Sequence, residues 1–279
     1  MPAATTRIRP RCSVRACGLE LERTPRTWRC SAGHSFDVAR SGYVNLLQPG
    51  DRRSRRAGDS ADAVAARERL DQRGVGSALH AALRDEVAAL SLAPRAAVLD
   101  VGAGTGALLA ALVAELDLEG WALDLSVPAV DRGTRRHPEL SWVVANADRR
   151  MPFADGVFGL LLSTAGPKHP EEFRRLLAPG GALLLTVPAQ DDLIELRAVV
   201  QGEARREDRV SAALALFEPW FECRARSVSR ERPTLERHDL EDLLAASYRG
   251  ARRAERAHFL GLHSLPTTLS SEILRLAPR

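Results

Sequence analysis

The sequence predicts an α/β protein: a doubly wound, largely parallel sheet preceded by a small metal-binding module. Three observations carry that expectation. From residue 96 apolar strand segments alternate with helical ones, the pattern that builds βαβ units. The first of these strands runs into a glycine-rich turn, VLDVGAGTG at 98–106. Three of the four cysteines stand with a histidine inside the first 34 residues. A chain of 279 residues has room for one sizeable domain and an accessory module.

Taken in order, residues 1–50 hold short turn-rich pieces such as RCSVRACG and RCSAGHSF and no long helical period. The polar stretch DRRSRRAGD at 51–59 reads as a linker, and 61–90 reads as helix with a break near Gly74 and Gly76. Linker and helices therefore occupy 51–95, and the larger domain 96–279. In it, AAVLDVG, GWALDLS, LSWVVANAD, GVFGLLLSTAG and ALLLTVPA are expected strands. TGALLAALVAELD, SVPAVDRGTRRHP and PEEFRRLLAPGG are the helices between them, the last ended by glycine. Beyond residue 200 the sequence supports one helix, LERHDLEDLLAAS, and strands around FECRARSVS and RAHFLGLHS.

The formal net charge of +4 conceals an asymmetry. Residues 1–56 carry 12 basic and 4 acidic side chains, so the rest of the chain is net acidic. Lys168 is the sole lysine, and an arginine count of this kind also follows from GC-rich codons; local charge is thus better evidence for a polyanionic partner than the total. No run reaches the roughly 18 apolar residues of a membrane span, and no apolar segment follows the N-terminal arginines. The expectation is a cytoplasmic protein without membrane contact, whose thiols serve as metal ligands or buried apolar groups.

Cys12-x4-Cys17 and Cys30-x3-His34 supply two close ligand pairs, the Cys3His set of closed structural zinc sites. Gly18 and Gly33 suit the tight turns such pairs need. Bound Zn2+ would also explain how so small a module folds, because binding free energy becomes folding free energy. Four protein ligands leave no open position for catalysis. Cys223 stands alone in WFECRA and reads as an inert thiol.

The loop bearing Asp100, Gly102, Gly104 and Gly106 lies between a strand and a helix, where backbone amides approach an anionic group. Gly102-x-Gly104-x-x-Ala107 also fits a relaxed dinucleotide fingerprint, with Asp124 serving ribose hydroxyls in either case. Three features favour S-adenosyl-L-methionine. Asp100, two residues before the first glycine, would hold an amino group and repel phosphates. Ala145-Asn146-Ala147-Asp148, at the end of the third strand, resembles the position whose polar side chain contacts an adenine amino group in methyltransferases. MPFADGVFGLLLS with LLAPGGALLLTVP is similar to the fourth and fifth strand signatures of that superfamily.

The sequence resembles the RlmA/TlrB family of ribosomal RNA guanine-N1 methyltransferases over nearly its whole length. CSAGHSFDVARSGYVNLLQP at 30–49 is the most specific piece, followed in family order by GDSADAVAARERLD, VLDVGAGTG, LDLS and APGG. The resemblance implies a Rossmann-like class I S-adenosyl-L-methionine-dependent methyltransferase domain acting on N1 of a guanine in a 23S rRNA hairpin near the peptide exit tunnel. In some members that methylation gives resistance to macrolides such as tylosin. It assigns structural zinc to Cys12, Cys17, Cys30 and His34. The cofactor falls to Asp100, Gly102, Gly104, Thr105 and Gly106, with Leu108, Leu109, Asp124, Asn146 and Ala147. A homodimer is a further expectation. Departures are visible: four residues separate the first ligand pair where the family has two, Arg73-Gly74-Val75-Gly76 replaces a tyrosine-bearing Gly-His-Tyr, and Asp192 replaces a histidine.

Guanine N1 carries a proton, so transfer to it needs a proton acceptor. By position alone, Asp191, Asp192 and Glu195 are candidates, Asp192 also as a cofactor contact; their bland alternative is a helix start where acids are favoured. Lys168 and His169 follow the fourth strand, in GPKHP, without the Asn-Pro-Pro-Tyr pattern of exocyclic-amine enzymes. Arg23, Arg26, Arg29, Arg40, Arg52, Arg53, Arg55 and Arg56 would grip phosphates. Phe36 and Tyr43 read either as base-stacking groups or, preferably, as the module's own core. Two other classes stay open, a small-molecule methyltransferase and a catalytically silent RNA-binding relative.

Overall fold

The computed structural model describes residues 8–15, 17–51, 58–202, 206–246 and 262–279. Its first elements are short strands: β1 (Glu22–Arg23), β2 (Thr27–Arg29) and β3 (Ser35–Asp37) form an antiparallel sheet, and β4 (Val44–Asn45) follows. Helices α1 (Ala61–Gln72) and α2 (Ser77–Ala88) flank the expected break. Ser60 caps α1 by accepting the Ala63 amide, as a short hydroxyl side chain does at a helix start.

The alternating segments then form β5 (Ala97–Val101), α3 (Ala107–Leu116), β6 (Glu119–Asp124), α4 (Val127–Arg136) and β7 (Ser141–Val144). They continue as β8 (Phe158–Thr164), α5 (Pro170–Leu176) and β9 (Leu177–Pro188). The last part contains α6 (Ile194–Gln201), α7 (Arg209–Phe217), β10 (Phe221–Glu231), β11 (Thr234–Glu236), α8 (Arg237–Ala246), β12 (Ser264–Pro266) and β13 (Leu269–Pro278).

The main sheet has the order β10-β13-β9-β8-β5-β6-β7-β4. Its strands are parallel from β4 to β9, and β13 and β10 join antiparallel. Both faces are buried, so consecutive strand residues go to opposite layers: Val98 packs with α2, α3 and α4, whereas Leu99 and Val101 face the other core. That second core contains Phe173 and Phe217 from helices, but also Ile8, Cys12, Leu21, Cys30, Val44 and Leu46. The N-terminal module thus covers part of one sheet face, and its β4 pairs in parallel with the β7 edge.

Two expectations change. The helix beginning at Pro170 stops at Leu176, and Leu177–Gly181 belongs to β9; Pro179 has no amide proton and biases Ala178 toward extended backbone, so the APGG piece is strand. The carboxyl-terminal strand β13, between β9 and β10, and α7 were not expected, whereas α6 begins at the helix start that the alternative reading of Asp191, Asp192 and Glu195 allowed. Of RAHFLGLHS, residues 256–261 lie outside the described residues.

Candidate active site and zinc site

In β5 and its neighbours the chain reverses its winding: β6 continues the sheet on one side and β8 on the other. Loops leaving β5 and β8 therefore diverge and open a crevice at their carboxyl ends. A cavity of about 630 Å3 occupies it. Asp100, Gly102, Gly104, Thr105, Leu108, Asp124, Asn146 and Ala147 all line it, together with Thr164 and Gly166 after β8. Gly106 instead caps α3 with φ +75°, and Leu109 is fully buried beneath the helix. Asp192 lies on a neighbouring wall.

The loop needs its glycines. Gly102 has φ +85°, and a Cβ there would stand 2.9 Å from Pro167 Cδ. The Gly102 and Ala103 amides donate to Leu123 O, and the Gly104 amide donates to Asp124 Oδ2 at 2.8 Å. Asp124 Oδ1 accepts the Ser126 amide at 2.7 Å. Each oxygen keeps a second lone pair for a hydroxyl.

Asp100 is the exception in an otherwise satisfied loop. Its side chain is 3% exposed, and Oδ1 has no hydrogen-bond partner. Burial, with Asp124 nearby, pushes its carboxyl up to about 7. A buried acceptor facing a cavity fits an amino group that arrives with a ligand. Asp100 for the amino group, the open Gly102–Gly104 cradle and Asp124 for the ribose hydroxyls make a donor and acceptor set that fits S-adenosyl-L-methionine. A dinucleotide pyrophosphate would meet the Asp100 carboxylate.

Asn146 is committed on both sides: Nδ2 donates to Asp51 O at 2.7 Å, and Oδ1 accepts the Asp148 amide. Asp148 is then the acidic side chain of that loop on the cavity wall. Sequence spacing missed a further set, Gly58, Asp59, Arg67, Asp71 and His80, which come from the linker, α1 and α2. Arg67 pairs with Asp59 at 2.5 Å, and Ser126 Oγ donates to Asp59 O at 2.7 Å, which ties α1 over the β6 end of the cavity. Gly58, Asp59, Arg67 and Asp71 fall within GDSADAVAARERLD, which marks the family but not these roles, because the packing of α1 against α4 and α8 is what brings that segment to the cavity.

The acids after β9 separate by their partners. Asp191 is paired with Arg230 at 2.7 Å. Burial raises Glu195, but the Thr268 amide and hydroxyl and the Arg232 guanidinium hold it down at about 2. Among the described residues Asp192 accepts the Ser270 amide alone, and burial pushes it up to about 6. It lines a smaller cavity of about 260 Å3. His169 Nδ1 accepts the Glu172 amide and caps α5, and Lys168 lies beside it, held below its usual range by burial and Arg209.

In the N-terminal module, Cys12, Cys17, Cys30 and His34 present ligand atoms all within 4.8 Å of one another. Cys17 Sγ and Cys30 Sγ are 3.8 Å apart, and His34 Nδ1 lies 3.4 Å from Cys12 Sγ and 3.5 Å from Cys30 Sγ. Tetrahedral Zn2+ with ordinary bond lengths requires about 3.8 Å between sulfurs and about 3.6 Å from sulfur to nitrogen. The four-residue spacing of the first pair is accommodated by a turn in which Cys17 N donates to Val14 O and Gly18 N to Cys12 O. This is a structural Cys3His zinc site. Arg23, Arg26, Arg29 and Arg40 are exposed around it; Arg52, Arg53, Arg55 and Arg56 lie outside the described residues. Phe36 and Tyr43 are half-buried against the two cores.

Among the described residues no helix is long and apolar enough to cross a membrane. Residues 12–55 match the family model described as RlmA, N-terminal, and residues 98–181 match a methyltransferase domain. A 23S rRNA (guanine(748)-N(1))-methyltransferase from Streptomyces fradiae is 41% identical over 217 residues, 74% of this chain and 73% of that protein. A protein from Micromonospora griseorubida named as a 23S rRNA (guanine-N1)-methyltransferase is 36% identical over 84% of both chains. Among solved structures, a methyltransferase in complex with the Haloferax volcanii Trm112 methyltransferase activator superposes with a TM-score of 0.53 at 18% identity, covering 79% of this chain and 99% of its own, a likeness of fold. With a zinc site inside the first match and the glycine loop of the cofactor cavity inside the second, the chain belongs to the RlmA family of 23S rRNA (guanine-N1)-methyltransferases.

Proposed function

We propose that the protein methylates N1 of a guanine in 23S rRNA, in a hairpin near the peptide exit tunnel, and that this protects the ribosome from macrolides. The observation that carries the reading is a four-ligand zinc site packed against the sheet that carries an S-adenosyl-L-methionine-type cavity, with relatives so named aligned over 74% and 84% of the chain. When bound, the cofactor supplies a methyl group already activated on a sulfonium. What remains for the chain is alignment, exclusion of water and a place for the N1 proton. Asp100 and Asp124 hold the cofactor's amino and ribose ends, and the Gly102–Gly104 backbone lets it approach. The exposed arginines of the module grip phosphates, a contact that weakens with salt. The cytoplasmic location and the homodimer belong to the same proposal.

The test is radiolabelled methyl transfer to naked 23S rRNA and to assembled large subunits, followed by mapping of the modified base. A single N1-methylguanine in a 23S rRNA hairpin is the expected product. Methylation of a free natural product with none on RNA would refute the proposal, and so would no transfer at all.

A further inference from the structure

The cavity of about 260 Å3 beside Asp192 opens against the cofactor cavity: Arg67, Asp71 and Ala246 belong to both walls. Its size is just below that of ordinary small-molecule pockets, room for a group smaller than a whole cofactor. Leu70, Val75, Leu79, Leu243 and Leu269 supply apolar walls, and Asp192 and Ser270 a polar floor. Apolar sides with a polar end suit a planar heterocycle that stacks on its faces and hydrogen-bonds at its edge.

A base paired inside an RNA helix hides N1, so its methylation requires extrusion into a pocket adjoining the methyl donor. The proton acceptor must then stand where pocket and cofactor cavity meet. Of the shared groups, Arg67 is a cation engaged with Asp59 and the Ala246 carbonyl, and Ala246 has no side-chain chemistry. Asp71 is the carboxylate at that junction, half-buried and accepting no hydrogen bond from any described residue. His80 from α2, Arg136 from α4, and Arg67 and Glu68 from its own helix are the charged and titratable groups around it, and burial raises its carboxyl above the usual range. Glu231, elsewhere on the wall, is occupied by the Gly76 amide.

We propose that this cavity receives the extruded target guanine, with Asp71 as the acceptor of its N1 proton and Asp192 as the acceptor for its amino edge. The inference rests on the guanine-N1 reading above and extends it to the base pocket and the catalytic group. N1 gives its proton to Asp71 and its electron pair to the methyl carbon, whose bond to sulfur breaks with the pair left on sulfur. Asp71 then releases the proton to water.

The experiment compares wild type with Asp71→Asn, Asp71→Glu and Val75→Trp in single-turnover methylation of 23S rRNA, with cofactor affinity and melting temperature measured for each. At saturating cofactor, Asp71→Asn should lose about 10²–10⁴-fold in rate, with partial recovery in Asp71→Glu. Wild-type rate should rise with pH until Asp71 is ionised and then level, and Asp71→Asn should lose that limb. Separately, 2-aminopurine placed at the mapped target position should brighten on binding to wild type without cofactor, and Val75→Trp, which fills the pocket, should suppress the brightening. An Asp71→Asn rate within threefold of wild type, or brightening unaffected by Val75→Trp, overturns the inference while the guanine-N1 function stands. Wild type that leaves 23S rRNA unmethylated overturns that function and the pocket with it.

Discussion

Replacing Asp100 by Asn should separate fold stability from cofactor binding. In the cofactor-free protein the Asp100 carboxyl is buried without a partner and rises from 3.8 to about 7. An acid whose folded pKa is raised opposes folding once it must ionise: its stability contribution is intact below about pH 4 and is lost as pH rises through about 7. Three pH units correspond to about 4 kcal/mol, an upper bound because water and local relaxation soften the burial. Asp100→Asn removes that cost, so urea denaturation at pH 8 should show the variant as stable as the cofactor-free wild type or more so, with little difference at pH 4. Titration calorimetry should meanwhile show cofactor affinity falling roughly 10- to 150-fold, the size of a lost hydrogen bond to a charged group. A variant less stable than wild type at pH 8, or one that binds S-adenosyl-L-methionine unchanged, would refute the assignment of Asp100 as the amino-group acceptor.

Removing zinc with a chelator, or replacing Cys17 by Ser, should release about one Zn2+ per chain and lower the melting temperature of the whole protein, since Cys12 and Cys30 sit in the core shared with Leu99 and Phe153. For the same reason deletion of residues 1–50 should impair cofactor binding as well as RNA methylation, because β4 is lost and Asp51, whose carbonyl holds Asn146 at the cavity edge, loses its Gln48 anchor; calorimetry on the truncated chain reads this directly. Gly133→Ala would place a Cβ 2.2 Å from Trp142 Cη2 and 2.8 Å from Thr105 O, so it should cost about 1–3 kcal/mol in denaturant melts and weaken cofactor binding through the displaced loop. Asp242 is held below its ordinary range by Arg69, then Arg73, after burial is offset; Asp242→Asn should therefore lower the melting temperature at pH 7, with the gap closing as pH falls below the usual carboxylate range.

The order of strands and helices from residue 96 to 189 was legible because each element is local: a buried strand is a short apolar run, and glycine or proline marks its end. The same locality made Cys12, Cys17, Cys30, His34, Asp100 and Asp124 visible, since ligand pairs and glycine loops are written within a few residues of one another. The terminal strand β13 was not, because Leu269, Ile273, Leu274 and Leu276 are interrupted by Ser270, Ser271, Glu272 and Arg275 and signal no strand until β9 and β10 receive it.

Chemistry that depends on one turn of chain is therefore carried by the sequence: zinc knuckles, the cradle and the acids beside it. What depends on chain segments meeting from far apart was decided by packing. Only the fold shows that the zinc module is welded to the catalytic sheet through β4 and a common core, that Asp191 and Glu195 are tied up in ion pairs while Asp192 faces a pocket, and that Asp71 stands between two cavities. Burial and partner choice set what a carboxylate does, and neither is a property of its neighbours in sequence.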